Sequence, residues 1–195
     1  MARKPLSTKA KIIKAAWSLF YKKGYDGTTI ADIISASKTS KGTFYHYFHG
    51  KDALLNTISD LFDQRYEELY PVVDPTLSSR DKLLLLNHEV FYLIETSVDA
   101  TLLGYMYAAQ LTTKERRALS DKRRLYFRWC TEIIQEGINS GEFKNTSTAN
   151  ELMDIYAMYE RALLYDWALS EGTIHLVEYS DKLLPHLLDV FVAGV

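Results

Sequence analysis

Thr28-Thr29-Ile30-Ala31-Asp32-Ile33-Ile34-Ser35-Ala36-Ser37-Lys38-Thr39-Ser40-Lys41-Gly42-Thr43-Phe44-Tyr45-His46-Tyr47-Phe48-His49-Gly50-Lys51 reads as two short helices joined by a tight polar turn. Thr29 is a suitable N-cap and Asp32 follows three residues later, which predicts a capping box. Ile30, Ile33 and Ile34 then share one helical face. Ser37-Lys38-Thr39-Ser40 offers turn and cap chemistry rather than packing, so the first helix is expected to end near Ser37 and Ser40 to cap the second. Phe44 and Phe48, four residues apart, are the expected core anchors of that second helix. Gly42 permits close backbone approach. His49-Gly50 is expected to end the helix and Lys51 to open the next. Ser40, Lys41, Thr43, Tyr45, His46 and Tyr47 are left facing outward, an unfavourable set for a core.

Upstream, Ser7 to Lys23 predicts a further helix. Ile12, Ile13, Ala15, Ala16, Leu19 and Phe20 form its apolar face, five lysines its polar one, and Gly24 its C-cap. Three helices in about fifty residues, the last two separated by a short turn, is the helix-turn-helix layout. There the second helix of the pair enters the major groove of DNA while the first crosses the backbone. Charge agrees with it. Residues 1–51 hold ten Lys/Arg and two acids, a net +8; the chain as a whole is −2, which leaves −10 for the rest. A basic head on an acidic body is the electrostatic footprint of a nucleic-acid-binding domain joined to something else.

Thr29-x-x-x-Ile33, followed by Ser40 to Phe48, Lys51 and Leu54, resembles the N-terminal domain of the tetracycline-repressor (TetR/AcrR) family of bacterial regulators over roughly residues 8–55. The resemblance implies a helix-turn-helix DNA-binding domain over residues 1–50 and a helical effector-binding and dimerisation domain over residues 51–195. It implies a phosphate contact for Thr29, and base or phosphate contacts for Ser40, Lys41 and Gly42 with Thr39 beside them. Thr43, Tyr45, His46 and Tyr47 would face the groove or its walls, and Lys51 would clamp a phosphate. Lys41 and Lys51 would serve affinity more than specificity, since phosphate contacts position and base contacts specify. Tyr45 has a second reading, its ring packed on the first helix with only the hydroxyl free, and Thr43 another, as a local backbone binder. The turn departs from the family's usual Ala-Gly-Val: here it is Ser37-Lys38-Thr39. Either the turn is reshaped, or Lys38 takes a left-handed conformation at a cost of roughly 1–2 kcal/mol.

The 195 residues are 47% hydrophobic with sparse Gly and Pro, enough for a real core and for an all-α fold of about nine helices. No run of eighteen apolar residues points to a membrane span, and no signal-type segment follows the first residues. A single cysteine, Cys130, suits a reducing cytoplasm; its place on an apolar helix face predicts a buried, inert thiol. The body reads as a helix from Lys51 to about Tyr70, then Ser79–Glu95, Asp99–Gln110, a helix from about Lys114 or Ser120 to Asn139, one capped by the box Thr148-x-x-Glu151, and a last helix from about His175 to Val192 kinked by Pro185. Lys114 to Arg128 reads as a solvated basic face.

The last two helices are long and very apolar, and the resemblance implies that they pair with their copies as a homodimer. The same resemblance implies an effector cavity in the body. Its aromatic and Met content would suit a lipophilic or cationic small molecule, with Tyr92, Tyr105, Trp129 and Tyr156 as the expected lining. The five histidines lack zinc spacing and no phosphate-binding glycine loop follows a strand, so neither metal, cofactor nor catalytic residue is expected. The expectation is therefore a dimeric, ligand-responsive regulator of double-stranded DNA, most often a repressor in that family. The alternatives are a regulator of this fold without a small-molecule effector, and an all-α enzyme or carrier whose helix-turn-helix is vestigial.

Overall fold

Helix starts in this chain are written into its short polar side chains. In a computed structural model that describes residues 7–112 and 118–192, Ser7, Thr29, Ser40, Ser78 and Thr148 each accept a hydrogen bond from a backbone N–H in the first turn of the helix they precede. Two starts are capped from a distance, the first of them in addition to Ser78. Glu142 takes the N–H groups of Ser79 and Arg80 at 2.8 and 2.9 Å, and Glu95 takes those of Leu176 and Val177 at 3.2 and 3.0 Å. A carboxylate there satisfies orphan donors and meets the positive end of the helix dipole.

The elements are α1 (Thr8–Lys23), α2 (Ile30–Ser37), α3 (Lys41–Tyr47), α4 (Asp52–Leu55), α5 (Thr57–Leu69), α6 (Ser79–Ser97), α7 (Ala100–Thr112), a 3-10 turn at Ala118–Ser120, α8 (Leu125–Ser140), α9 (Ala149–Leu169) and α10 (Leu176–Phe191). The fold is all-α; among the described residues the only extended pairing is the isolated bridge Phe143–Val192. α1 packs on α2 and α2 on α3. In the body, α10 lies on α6 and α9, α8 on α6 and α9, and α5 on α6 and α8, while α7 joins α9 to α4. One apolar core runs through both parts, from Ile12, Ile33 and Phe44 to Leu184 and Leu188.

Several boundaries differ from the sequence reading. The helix expected from Lys51 to Tyr70 is divided at Asn56. There Thr57 Oγ1 and Ser59 Oγ donate to the carbonyls of Leu54 and Asn56, both at 2.6 Å, so side chains compete with the helical ladder. Counted as one rod, α4 and α5 bring the described helices to nine. α3 stops at Tyr47 because Phe48 is already extended, yet Phe44 and Phe48 are both buried as expected. The helix expected from Lys114 or Ser120 starts at Leu125; Lys114 lies outside the described residues. α10 continues through Pro185 to Phe191. No helix of the described residues is long and apolar enough to cross a membrane.

Candidate nucleic-acid interface and body pocket

The capping box at Thr29 is complete. Thr29 Oγ1 accepts from Asp32 N at 3.1 Å, and Asp32 Oδ2 accepts from Thr29 N at 3.0 Å and from its hydroxyl at 2.8 Å. Those bonds, with Lys23 Nζ at 3.3 Å, hold the Asp32 carboxyl below the usual carboxylate range. At the other end of α2 the reshaped-turn question is settled in favour of strain. Lys38 is left-handed, φ 55° and ψ 42°. Its N–H reaches Ser35 O and that of Thr39 reaches Ile34 O, both at 3.2 Å, which is the Schellman closure normally given to glycine. The Lys38 side chain projects into solvent.

That turn aims α3 outward. Ser40 caps it, accepting from Thr43 N at 3.0 Å and lying 2.8 Å from the Thr43 hydroxyl. Phe44 inside, against Phe48 with ring centroids 6.0 Å apart, fixes the helix's rotation. Ser40, Lys41, Gly42, Tyr45, His46 and Tyr47 consequently stand on the solvent side, Tyr45 42% and Tyr47 40% exposed. The Tyr45 ring is therefore not packed away on α1. Thr39 and Thr43 are half-buried, and each hydroxyl is engaged locally, Thr39 with Ser37 at 2.8 Å.

Lys51, for which the resemblance implies a phosphate contact, is engaged within the protein. Its Nζ donates to the carbonyls of Tyr25 at 2.7 Å and Thr28 at 3.1 Å and sits 4.0 Å from the centre of the Tyr25 ring. Tyr25 donates to Asp52. The lysine thus fastens the loop between α1 and α2 to the start of α4, with at most one N–H left for anything else. The same junction holds Trp17 Nε1 donating to Thr57 at 2.9 Å and Tyr21 donating to Ser97 O at 2.8 Å. A groove of about 380 Å³ opens between α1 and α5 beside them.

The four tyrosine and tryptophan residues expected to line one effector cavity are not brought together. Tyr92 is 57% exposed on α6. Tyr105 stacks on Tyr25 at 4.7 Å and donates to Asp26, which puts it at the junction with the DNA-binding part. Trp129 packs on Tyr70 at 4.9 Å, and Tyr156 is fully buried with its hydroxyl on Leu83 O at 3.0 Å. Neighbouring helices decide which side each ring meets.

One body pocket is a cavity of about 50 Å³ among α5, α6, α8 and α9, walled by Phe62, Tyr66, Phe91 and Tyr126 with Glu160 on one side; another, of about 280 Å³, lies between α8 and α9 beside Phe127, Thr131 and Met153. Glu160 escaped notice in the sequence, though a signal was there. It stands at a core position of α9, in step with Met153, Tyr156, Ala157, Leu163, Leu164 and Trp167. Arg124 also lines the cavity, paired with Asp63 of α5 at 2.9 Å. Cys130 is fully buried, and burial pushes its thiol up, as expected of an inert group. Among the described residues no group of three His, Cys, Asp or Glu is placed to hold a metal.

Residues 12–58 match the family of bacterial regulatory proteins named tetR. An uncharacterised HTH-type transcriptional regulator of Lactococcus lactis is 53% identical over 45 residues, a match spanning 23% of each chain. The HTH-type transcriptional regulator QacR of Staphylococcus aureus is 26% identical over 144 residues, 71% of this chain and 74% of that protein. The crystal structure of Thermus thermophilus FadR, a TetR-family repressor in complex with lauroyl-CoA, superposes with a TM-score of 0.78 over 96% of both chains at 23% identity.

Proposed function

We propose, because this chain belongs to the tetR family of bacterial regulatory proteins, that it is a dimeric transcriptional repressor which leaves its operator when a small molecule enters the body. The observation that carries this reading is α3. A Schellman turn and the buried Phe44 present Ser40, Lys41, Tyr45, His46 and Tyr47 as one exposed polar face in a region of net +8 over residues 1–51. Those side chains meet bases and groove walls, while Thr29 and the α2 N-terminus approach the phosphate backbone. Thr39 and Thr43 hold the turn and the helix start, and Gly42 lets the backbone come close. The DNA-binding unit is residues 1–50, locked to the body through Lys51, Trp17 and Tyr21.

Dimerisation is supported by what α9 and α10 leave outside. Ile155, Met158, Ala162, Tyr165 and Leu169 recur every three or four residues along the exposed side of α9, with Met158 59% and Leu169 70% exposed. Leu183, Leu187 and Val190 continue the stripe on α10, to which α9 is tied by Tyr159 donating to Leu183 O at 3.2 Å. A contiguous apolar surface of this kind is an interface signature, and a second copy would set two α3 helices to read two half-sites. The effector enters the body; the superposed Thermus thermophilus FadR was solved in complex with lauroyl-CoA. Such a protein works in the cytoplasm and performs no catalysis.

The test is a gel shift against DNA upstream of the protein's own gene. Binding that weakens steeply with salt, and weakens further on Lys41→Ala, is expected. Absence of sequence-selective binding at low salt would refute the regulator.

A further inference from the structure

α1 carries two apolar stripes one residue apart. Ile12, Ala16 and Phe20 recur every four residues and are buried in the core. Ile13, Trp17 and Tyr21 follow at the same spacing, one position on, and keep contact with water, Tyr21 being 53% exposed. Four-residue spacing sets this second stripe along a single side of the helix. It lines one wall of the groove at the junction of the two units. Ile58 and Leu61 of α5 line the other, and Val98, just past α6, completes the apolar surface. The groove holds about 380 Å³, inside the range of roughly 300–1,000 Å³ usual for small-molecule sites. Apolar walls left in water gain from an occupant that removes them from it.

The polar groups along the groove decide which occupant. Trp17 Nε1 donates to Thr57 Oγ1 at 2.9 Å, Thr57 Oγ1 donates to Leu54 O at 2.6 Å, and the Tyr21 hydroxyl donates to Ser97 O at 2.8 Å. An indole has one donor and a hydroxyl one proton. These three residues therefore offer an incoming molecule oxygen lone pairs and ring surface, but no donor. Gln64 spends an amide N–H on Glu68 at 3.0 Å. Among the described residues lining the groove, Asp60, itself engaged within the protein, is the one that carries a charge. No lysine or arginine stands among them to receive an acid.

We propose that the groove between α1 and α5 is a small-molecule site separate from the body pockets, and that it takes an aromatic amine. The flat apolar part lies along Ile13, Trp17 and Leu61, and an N–H or ammonium edge meets the acceptor oxygens of the rim. The site goes beyond the effector reading and does not depend on it. Its walls come from both units, so an occupant binds while α1 lies against α5 and by linkage favours that arrangement.

The experiment uses two indoles of equal chain length and opposite charge, tryptamine and indole-3-propionate. Each is titrated at low ionic strength into the full chain labelled with nitrogen-15. The three tryptophans give separate indole N–H signals: Trp17 at the groove, Trp129 against Tyr70, and Trp167 on α9. Trp17→Phe assigns the first, or Trp129→Phe and Trp167→Phe assign it by elimination. Tryptamine is expected to move the Trp17 signal, to leave the other two in place, and to bind at least about tenfold more tightly than the propionate. Asp60→Asn, at an exposed position, should narrow that preference to about threefold or less. Tryptamine that moves Trp129 or Trp167 and not Trp17 would overturn the proposal. So would a Trp17 signal unmoved at about 1 mM tryptamine, a propionate that binds equally well, or a preference that Asp60→Asn leaves intact. Position and charge preference are both read on the unsubstituted chain, so an Asp60→Asn variant that fails to fold does not shield them.

Discussion

The N-terminal fifty residues and the body sort their side chains by opposite rules. In the first region charge stays outside and isoleucine and phenylalanine turn inside; the buried hydroxyls of Thr28 and Ser37 donate to the carbonyls of Gly24 and Ile34, and Lys51, drawn half inward, finds two carbonyls and a ring. The body does the reverse at two places. It encloses the carboxylate of Glu160, with Asn87 and Tyr126 donating to it, and exposes Met158, Leu169 and Val190 to water. A region that obeys burial everywhere is complete by itself apart from its outward face. A region that violates it marks where the proposed copy of the chain and the proposed ligand would fit.

Substitutions should separate the two regions, the largest effect first. Phe44→Ala removes the ring on which α3 turns and should lower the stability of the DNA-binding part by about 3–5 kcal/mol, read by thermal unfolding with the body's transition retained. Retained helix-turn-helix stability would mean that α3 is held by its caps alone. Next, Met158→Glu with Leu169→Glu sets like charges on the exposed stripe, and should yield monomers by light scattering and weaken DNA binding by about 100-fold. A dimer surviving both would place the interface elsewhere. Lys41→Ala should weaken binding by about tenfold and lower the salt slope by about one, uniformly across sequences. A loss confined to one base position would make it a base reader.

Smaller effects concern the turn and the caps. Lys38→Gly relieves the left-handed strain and should raise stability by up to about 1 kcal/mol, less the flexibility glycine adds to the unfolded chain. Asp32 and Glu151 both have carboxyls held below their ordinary values of 3.8 and 4.5, first by the backbone N–H of their capping threonines. A lowered carboxyl stabilises the fold above its unfolded value and loses that contribution as pH falls through its folded one. The melting temperature should therefore drop below about pH 4.5, and Thr29→Val with Thr148→Val should flatten that drop. Glu160, raised by burial, has the opposite sign, and weakens the fold as pH climbs through its folded value.

Local chemistry made much of this legible. Thr29, Ser40 and Thr148 could be read as caps because a capping bond spans three residues and needs no tertiary partner. The outward face of α3 followed from Phe44 and Phe48, whose spacing sets the helix's rotation. The contacts of Lys51 and Tyr105 could not be read from the sequence for one reason. Their partners, Tyr25 with Thr28 and Asp26, lie more than twenty residues away in sequence, and no periodicity encodes which carbonyl a lysine will reach.

The sequence alone determined the helices, their caps, the basic helix-turn-helix head and the acidic helical body, because each depends on the order of residues within one or two turns. Tertiary structure decided that Lys51 fastens a loop, that the aromatic residues scatter among separate contacts, and that Glu160 is enclosed beside a small cavity. Enclosure is a property of surfaces that meet only after α5, α6, α8 and α9 have packed, and the charge of a side chain carries no record of what will surround it.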